Sequence, residues 1–386
     1  MNMDEKQVFR HVDSQMKPNY VLWGILGVVL VAWIFPVYAQ QQPANEQWIR
    51  PKDEKDAALW GIKGGIVFSL WPYGVESGKG IYGGGPRGLI RIGTEEDGRF
   101  YLINFLAIEP VVKGKMEFSE ISPSKVDGHW GKLLWAAASE NATAFSPLAN
   151  TRGVITHPLP NRPEVEELSV YILMEQYMSG AYPYLRLSIR NDRPEEIGVQ
   201  IFNRPDSEPM NYCHITATMG NYARLRQLQL KNQVIDAREI YKGYTGIDFI
   251  EKEPYPTTAF IRSKRGDYFV FATGNENLET LRQWPNDSLA RKKSNWQYRP
   301  MVKFTQYWRK EPAMDYPGLQ IRVNGRYRYW SGGSRNPAHY MAIPGGAAFE
   351  NFELREPYVA GQQVFFGISK QNPDKILKQF DGENSN

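Results

Sequence analysis

Short runs rich in β-branched and aromatic residues recur from Ile62 to Ile368, each closed by Gly, Pro, Asn or Asp, and this cadence constrains the fold more than any other feature of the chain. Period-2 runs separated by turn residues cannot sit as helices, and they build antiparallel sheets. Helical periodicity is scarce. Asn277 to Gln283 and Pro373 to Phe380 can each hold two turns, the second opening on the proline that suits a helix N-terminus. The expected fold is all-β, a large antiparallel β-sandwich or a wider two-sheet supersandwich, and no fixed repeat points to a propeller or solenoid.

Two hairpins are expected at particular residues. Asn324-Gly325 lies between alternating segments, the strongest short-range hairpin signal. Lys264-Arg265-Gly266-Asp267 joins two strand-like runs, and a Gly-Asp turn accounts for its Arg-Gly-Asp spelling without an adhesion role. Cys213 is the only cysteine, so no intramolecular disulfide can form and stability must come from burial. The 42% apolar and 13% aromatic content supplies the material. Cys213, Ile215, Ala217 and Met219 alternate as one apolar strand face, which reads the cysteine as structural.

From Lys17 to Glu46 the chain carries no charge, and Tyr20 to Phe35 is almost wholly apolar. That run is short for a bilayer span, and Pro36 followed by Val37-Tyr38-Ala39 supplies a helix break and a small-residue cleavage pattern. Residues 1–39 therefore read as a signal peptide whose true start could be Met16, with an uncleaved anchor as the alternative. Either way the rest is expected to be exported, to a periplasm, a cell surface or the medium, touching a membrane only through this segment. The expected organisation continues with a linker at 40–56, a single large domain at 57–372 and a C-terminal tail at 373–386. A net charge of +4 with interspersed signs gives no electrostatic footprint for nucleic acid.

Nucleotide and metal motifs fail on context. Gly83-Gly84-Gly85-Pro86-Arg87-Gly88 spells G-x-G-x-x-G, but Pro86 interrupts it and a strand, not a helix, follows. No G-x-S-x-G or H-E-x-x-H occurs, so neither a nucleophile elbow nor a transition-metal site is expected. No cofactor is expected, although calcium held by scattered loop oxygens leaves no sequence trace.

The richest stretch is His214 to Arg226. If extended throughout, it places His214, Thr216, Thr218, Tyr222, Arg224 and Arg226 on one face, with a bulge or bend at Gly220. Tyr222 and His214 are candidate proton-transfer groups, and Asn221, Arg224 and Arg226, with Arg87 from the glycine-rich loop, are candidate ligand contacts. Glu109, enclosed by Leu106-Ala107-Ile108 and Pro110-Val111-Val112, is the carboxylate most open to an upward pKa shift. Its alternative is an exposed strand end. Hydrolysis of a glycoside needs two facing carboxylates, and neither Glu117 with Glu120 nor Glu350 with Glu353 makes such a couple along one strand. Trp308 and Trp330, in the aromatic-rich C-terminal third, are candidate sugar-stacking platforms. An exported, strand-rich chain with many Trp and Tyr and Gly-Pro-Arg loops is similar to secreted sandwich proteins that handle polysaccharides. The expected partner is a polysaccharide or oligosaccharide, degraded by a lyase or glycoside hydrolase and acidic where the candidate arginines hold an anionic substituent. A non-catalytic carbohydrate-binding or cell-envelope protein is the alternative.

Overall fold

A computed structural model describes residues 46–53, 56–70, 87–141, 150–218, 225–244, 250–251, 253–274, 296–297, 304–312, 316–330, 340–343 and 345–382. Among these the strands gather into a 12-stranded and an 11-stranded sheet, with a two-stranded ribbon pairing Arg328–Trp330 with Tyr340–Ala342. Pairing is antiparallel throughout, except where Trp296–Gln297 lies parallel to Arg99–Val112. The fold is the expected two-sheet β-sandwich.

The first sheet runs, strand beside strand, through Leu59–Ile62, Ile66–Ser69, Ile90–Glu96, Arg99–Val112, Tyr212–Thr218, Ala348–Arg355 and Gln320–Arg326. The second runs through Gln227–Leu230, Tyr268–Thr273, Thr305–Lys310, Gln363–Ser369, Arg193–Asn203, Pro183–Arg190 and Glu167–Met174. Alternate residues point inward from both, and Ile90, Leu106, Ile108, Ile215, Phe352 and Ile321 meet Val170, Leu187, Val199, Val270, Trp308 and Phe366 in one continuous core. Cys213 lines this core as a free thiol, and burial pushes its pKa up, as its strand alternation implied. Polar ties also cross between the sheets. Asn104 Nδ2 donates to Gln306 Oε1 at 2.7 Å, and Trp308 Nε1 donates to the Phe352 carbonyl at 3.0 Å.

The domain is wider than its expected bounds. Trp48–Ile49, in the segment read as a linker, pairs with Ile62 and Gly61, and the Trp48 indole is buried and donates to Glu166 Oε2 at 2.8 Å. At the other end Pro373–Asp381 forms the helix the sequence allows, capped by Asn372, whose side chain accepts from Lys375 N–H. Ile376 and Phe380 of this tail pack onto Phe269, Phe271 and Tyr307 on the outer face of the second sheet. The signal-peptide segment and the Asn277–Gln283 stretch lie outside the described residues.

One hairpin is where it was expected and one is not. Ile261–Arg262 folds back on Phe269 and Tyr268 through a turn in which Gly266 has φ 93° and its N–H reaches the Ser263 carbonyl. Asn324-Gly325 does not turn: both belong to the Gln320–Arg326 strand, which shifts register there against Ala348–Arg355. A primed turn needs Gly at positive φ. Here the glycine instead serves a close approach, since a Cβ on Gly325 would stand 2.3 Å from the Tyr241 ring.

Candidate active site

The chemistry gathers on the outer face of the first sheet, and strand register explains why. Glu109 on Arg99–Val112 sits opposite His214, and Thr216 is flanked by Ala107 on one side and Glu353 on the other. Arg322 on Gln320–Arg326 lies opposite Glu353. Since Ile108, Ile215, Phe352 and Leu354 point into the core, the neighbours Glu109, His214, Thr216 and Glu353 must point away from it. An outward face would ordinarily be solvated. This one is buried: Glu109 is 2%, His214 4%, Thr216 2% and Glu353 3% exposed.

A second carboxyl joins from the flank. Arg99–Val112 outruns its neighbour Ile90–Glu96, whose pairing ends at Ile90 opposite Leu106. The vacant edge is taken by the returning chain. Glu117 N–H donates to the Pro110 carbonyl and Ser119 N–H to the Ile108 carbonyl, both at 3.1 Å, while the Ser119 hydroxyl accepts from Ile108 N–H at 3.0 Å. Gly88, at φ 76°, lets this segment close in, because a Cβ there would stand 1.9 Å from the Ser119 carbonyl oxygen. Glu120 is thereby brought near enough for its charge to raise the Glu109 pKa.

Burial sets the protonation of the cluster. Desolvation, then the charges of Glu120 and Glu353, push Glu109 well above the carboxylate range, against smaller lowering effects of Thr216 and Arg322. Desolvation lifts Glu120 to about 7, opposed by its own backbone N–H and the Ser119 side chain. His214 goes the other way. Desolvation, then Arg355 and Arg322, depress it to about 3, so its ring is neutral at physiological pH. Glu109 Oε2, Glu120 Oε2 and His214 Nδ1 are buried atoms with no hydrogen-bond partner among the described residues. Glu120 is only partly buried as a residue, although its Oε2 is closed off from solvent.

The cluster's fixed charges lie one strand over. Arg322 Nε and a terminal nitrogen donate to Glu353 Oε2 at 3.0 and 2.6 Å, and Arg355 Nε lies 2.6 Å from Glu353 Oε1. One carboxylate therefore faces two guanidiniums. Among the described residues no three His, Cys, Asp or Glu side chains gather as a metal site requires.

The other expected site residues are dispersed. The stretch from His214 to Arg226 is not one strand: Tyr212–Thr218 belongs to the first sheet and Gln227–Leu230 to the second, so the chain crosses the sandwich between them. Arg226 consequently leaves the His214 face. It is fully buried and donates to the Gly346 and Ala347 carbonyls at 2.6 and 2.5 Å, a structural duty. Asn221, Tyr222 and Arg224 lie outside the described residues. Arg87 forms a bidentate pair with Asp127 at 3.0 and 3.1 Å, which braces the 117–132 segment. Trp308 is core and no platform, as its 2% exposure and inter-sheet hydrogen bond show. Trp330 lies on the Arg328–Trp330 strand of the ribbon.

Glu109 and His214 are brought together as neighbours, and Glu109 is buried and not the exposed strand end that was its alternative. Sequence reasoning missed Glu120, Glu353, Arg322 and Arg355 as members of the cluster. The period-2 pattern of Phe352-Glu353-Leu354-Arg355 could have flagged the last strand. Nothing along the chain shows that Glu120 meets Glu109.

No protein-family model matches the chain, and no curated protein or solved structure was found similar to it.

Proposed function

We propose that this protein is an exported polysaccharide-degrading enzyme that cleaves glycosidic bonds by proton transfer at the Glu109–Glu120 pair. The observation that carries the reading is the pair itself: a carboxyl buried on the sheet face, Glu109, and a second, Glu120, brought alongside by the 117–132 segment, both pushed upward by desolvation, with Glu120 near 7 and its charge raising Glu109 further. A general acid and a general base whose environments set different proton affinities are what glycoside hydrolysis requires. In hydrolysis Glu109 gives its proton to the glycosidic oxygen as the C–O bond breaks. Glu120 takes a proton from the water that adds to the sugar carbon. Neutral His214 accepts a hydrogen bond through Nδ1 and orients substrate or water. The apolar segment before Ala39 supports export.

The test is incubation with a panel of polysaccharides while following new reducing ends and new unsaturated ends. Glu109→Gln and Glu120→Gln are each expected to lower turnover by roughly 10²- to 10⁴-fold. Unsaturated products would assign elimination in place of hydrolysis. Absence of any cleavage by the native protein, or full activity in both variants, would overturn the reading.

A non-catalytic carbohydrate binder is favoured by one observation. Trp130 is 70% exposed on the 117–132 segment, which Arg87–Asp127 and the Lys132 ammonium, bound to the Pro123 and Gln176 carbonyls, hold in place. In that case Trp130→Ala would abolish retention on a polysaccharide column, and Glu109→Gln would leave it unchanged.

A further inference from the structure

Of the eight large apolar side chains that stand exposed among the described residues, six share one end of the sandwich. Ile121, Val126 and Trp130 project from the 117–132 segment and Met178 from the turn between Glu167–Met174 and Pro183–Arg190. Tyr212 opens its strand, and Val359 lies on the turn between Ala348–Arg355 and Gln363–Ser369. All six are between 38% and 70% exposed. The other two, Val154 and Val234, lie apart on short strands of the second sheet. A single exposed apolar residue needs no explanation, but six gathered at one end mark a contact surface.

The backbone beneath this surface is already ordered. The 117–132 segment closes on itself, with Lys132 N–H donating to the Ser119 carbonyl at 2.7 Å and Gly131 N–H to the Ser122 carbonyl at 3.1 Å. Its Glu117 carboxylate accepts from Met178 and Ser179 N–H at 3.2 and 2.7 Å, and Glu208 N–H donates to the Gly180 carbonyl at 3.0 Å. From there Asn211 N–H donates to the Val111 carbonyl and accepts Tyr358 N–H on its own carbonyl, while Tyr212 bridges to Pro357. The ties run from the 117–132 segment to the turn at Val359, so a partner docking here would order little new chain.

The chemistry of the surface selects the partner. Ile121, Val126, Met178 and Val359 are aliphatic, suited to burial against the apolar groups of a protein and without the flat face or hydrogen bonds that a sugar ring uses. Around them both signs of charge are displayed. Lys115, on the hairpin after Val112, and Asp206, on the loop that holds Glu208, are exposed, and neither side chain is in an ion pair among the described residues. Lys113 meets Glu208 at the same end, at 3.3 Å. Such a rim does not single out an anionic lipid surface, but it complements itself when a two-fold axis brings opposite charges of two copies together. A net charge of +4 leaves little general repulsion between copies. We propose that this end is the interface of a two-fold symmetric homodimer, with Trp130 and Met178 among its buried side chains and Lys115 facing Asp206 of the partner subunit. The interface rests on no part of the catalytic reading, because Glu109 and His214 are buried within each chain by itself.

Sedimentation equilibrium over a concentration series tests this directly. The native protein should reach twice the mass of the chain, and Trp130→Ala should weaken dimerisation by about thirtyfold or more, the effect of truncating a central aromatic contact. Met178→Glu, which would bury a charge at the interface, should weaken it further. Lys115→Asp and Asp206→Lys should each weaken the dimer about three- to tenfold, and the double variant should recover most of that loss. All four positions are exposed in the single chain, and native-like thermal transitions in the variants separate lost association from lost folding. A native protein that stays monomeric throughout overturns the interface. So does association that survives both Trp130→Ala and Met178→Glu, as association through the apolar segment before Ala39 would. A double charge variant no tighter than the single ones overturns the two-fold arrangement. A monomer that sediments with phosphatidylglycerol vesicles, or is retained on a polysaccharide column, through Trp130 would assign the surface to a lipid or a sugar and overturn the second copy as its partner.

Discussion

Each sheet of the sandwich buries charge on its outer face, and the two faces treat it oppositely. On the second sheet Arg309 donates Nε and a terminal nitrogen to Glu196 at 2.8 and 3.0 Å and another terminal nitrogen to Asp267 at 2.8 Å. Its guanidinium also lies over the Phe365 and Phe380 rings, at 3.8 and 4.8 Å. Every donor named there has a partner, and the C-terminal helix closes the top. On the first sheet the Glu109 carboxyl, the Glu120 carboxyl and the His214 ring are also withdrawn from water, yet each keeps a buried atom without a hydrogen-bond partner among the described residues. A satisfied buried network holds a fold together. An unsatisfied one costs stability, and proteins keep such groups where chemistry needs them.

The comparison breaks most visibly at Arg309. Arg309→Met would strand Glu196 and Asp267 in a buried setting, and roughly 3–5 kcal/mol of stability should be lost in urea unfolding at neutral pH. If the loss stays below 1 kcal/mol, the second face is not the structural network described here. The Arg-Gly-Asp spelling belongs to this test, because its aspartate, 6% exposed, is the Arg309 partner and is not displayed for adhesion.

A smaller and pH-dependent effect is expected on the first face. Glu120 has a folded pKa near 7, raised above its unfolded value, so the folded protein is favoured below the unfolded pKa and loses that contribution as pH rises through 7. Glu120→Gln should therefore match the native protein near pH 4 and exceed it by on the order of 2–3 kcal/mol at pH 8, read from denaturant midpoints across pH. His214 produces the opposite slope. Its folded pKa is depressed to about 3, so its contribution is present above the unfolded value and is lost as pH falls toward 3. His214→Gln should flatten the acid limb of the same curve. Because the two slopes oppose each other where they overlap, each is read against its own variant, and curves for Glu120→Gln and His214→Gln that both run parallel to the native one would mean that neither group is withdrawn from water.

What the sequence made legible follows one rule. Period-2 alternation places Cys213, Ile215 and Ala217 in the core and leaves His214 and Thr216 outside it, and the structure agrees residue by residue. The local signals at Gly266 and Pro373 also hold, because a turn and a helix start are decided within four or five residues. Legibility ends where a neighbour decides. Asn324-Gly325 has turn chemistry, but the packing of Tyr241 claims the glycine for a strand. The run beyond Thr218 keeps its polar pattern while the chain leaves for the other sheet, which carries Arg226 away from His214. Trp308 has the composition of a platform and the position of a core residue. The Glu109–Glu120 pair exists because one strand outruns another, a fact of register that no single stretch of sequence contains.

The mildest way to sharpen the contrast is at the helix over the second sheet. Asn372 Oδ1 accepts from Lys375 N–H at 2.9 Å, Pro373 presets the first turn, and Gly382 ends the helix at φ 77°. Removing the cap with Asn372→Ala should cost about 1 kcal/mol, since the helix is also held by Ile376 and Phe380 against the sheet. Phe380 in turn lies 5.1 Å from the Phe269 ring and over Arg309, so a frayed helix would admit water to the closed network. Because the sandwich core separates this helix from the first sheet's outer face, the same substitution should leave the polysaccharide cleavage proposed for the Glu109–Glu120 pair at its native level. A stability loss with intact activity keeps the two faces independent. A parallel loss of activity would show that the carboxyl pair relies on the second sheet's brace, and the division between a structural and a chemical face would have to be abandoned.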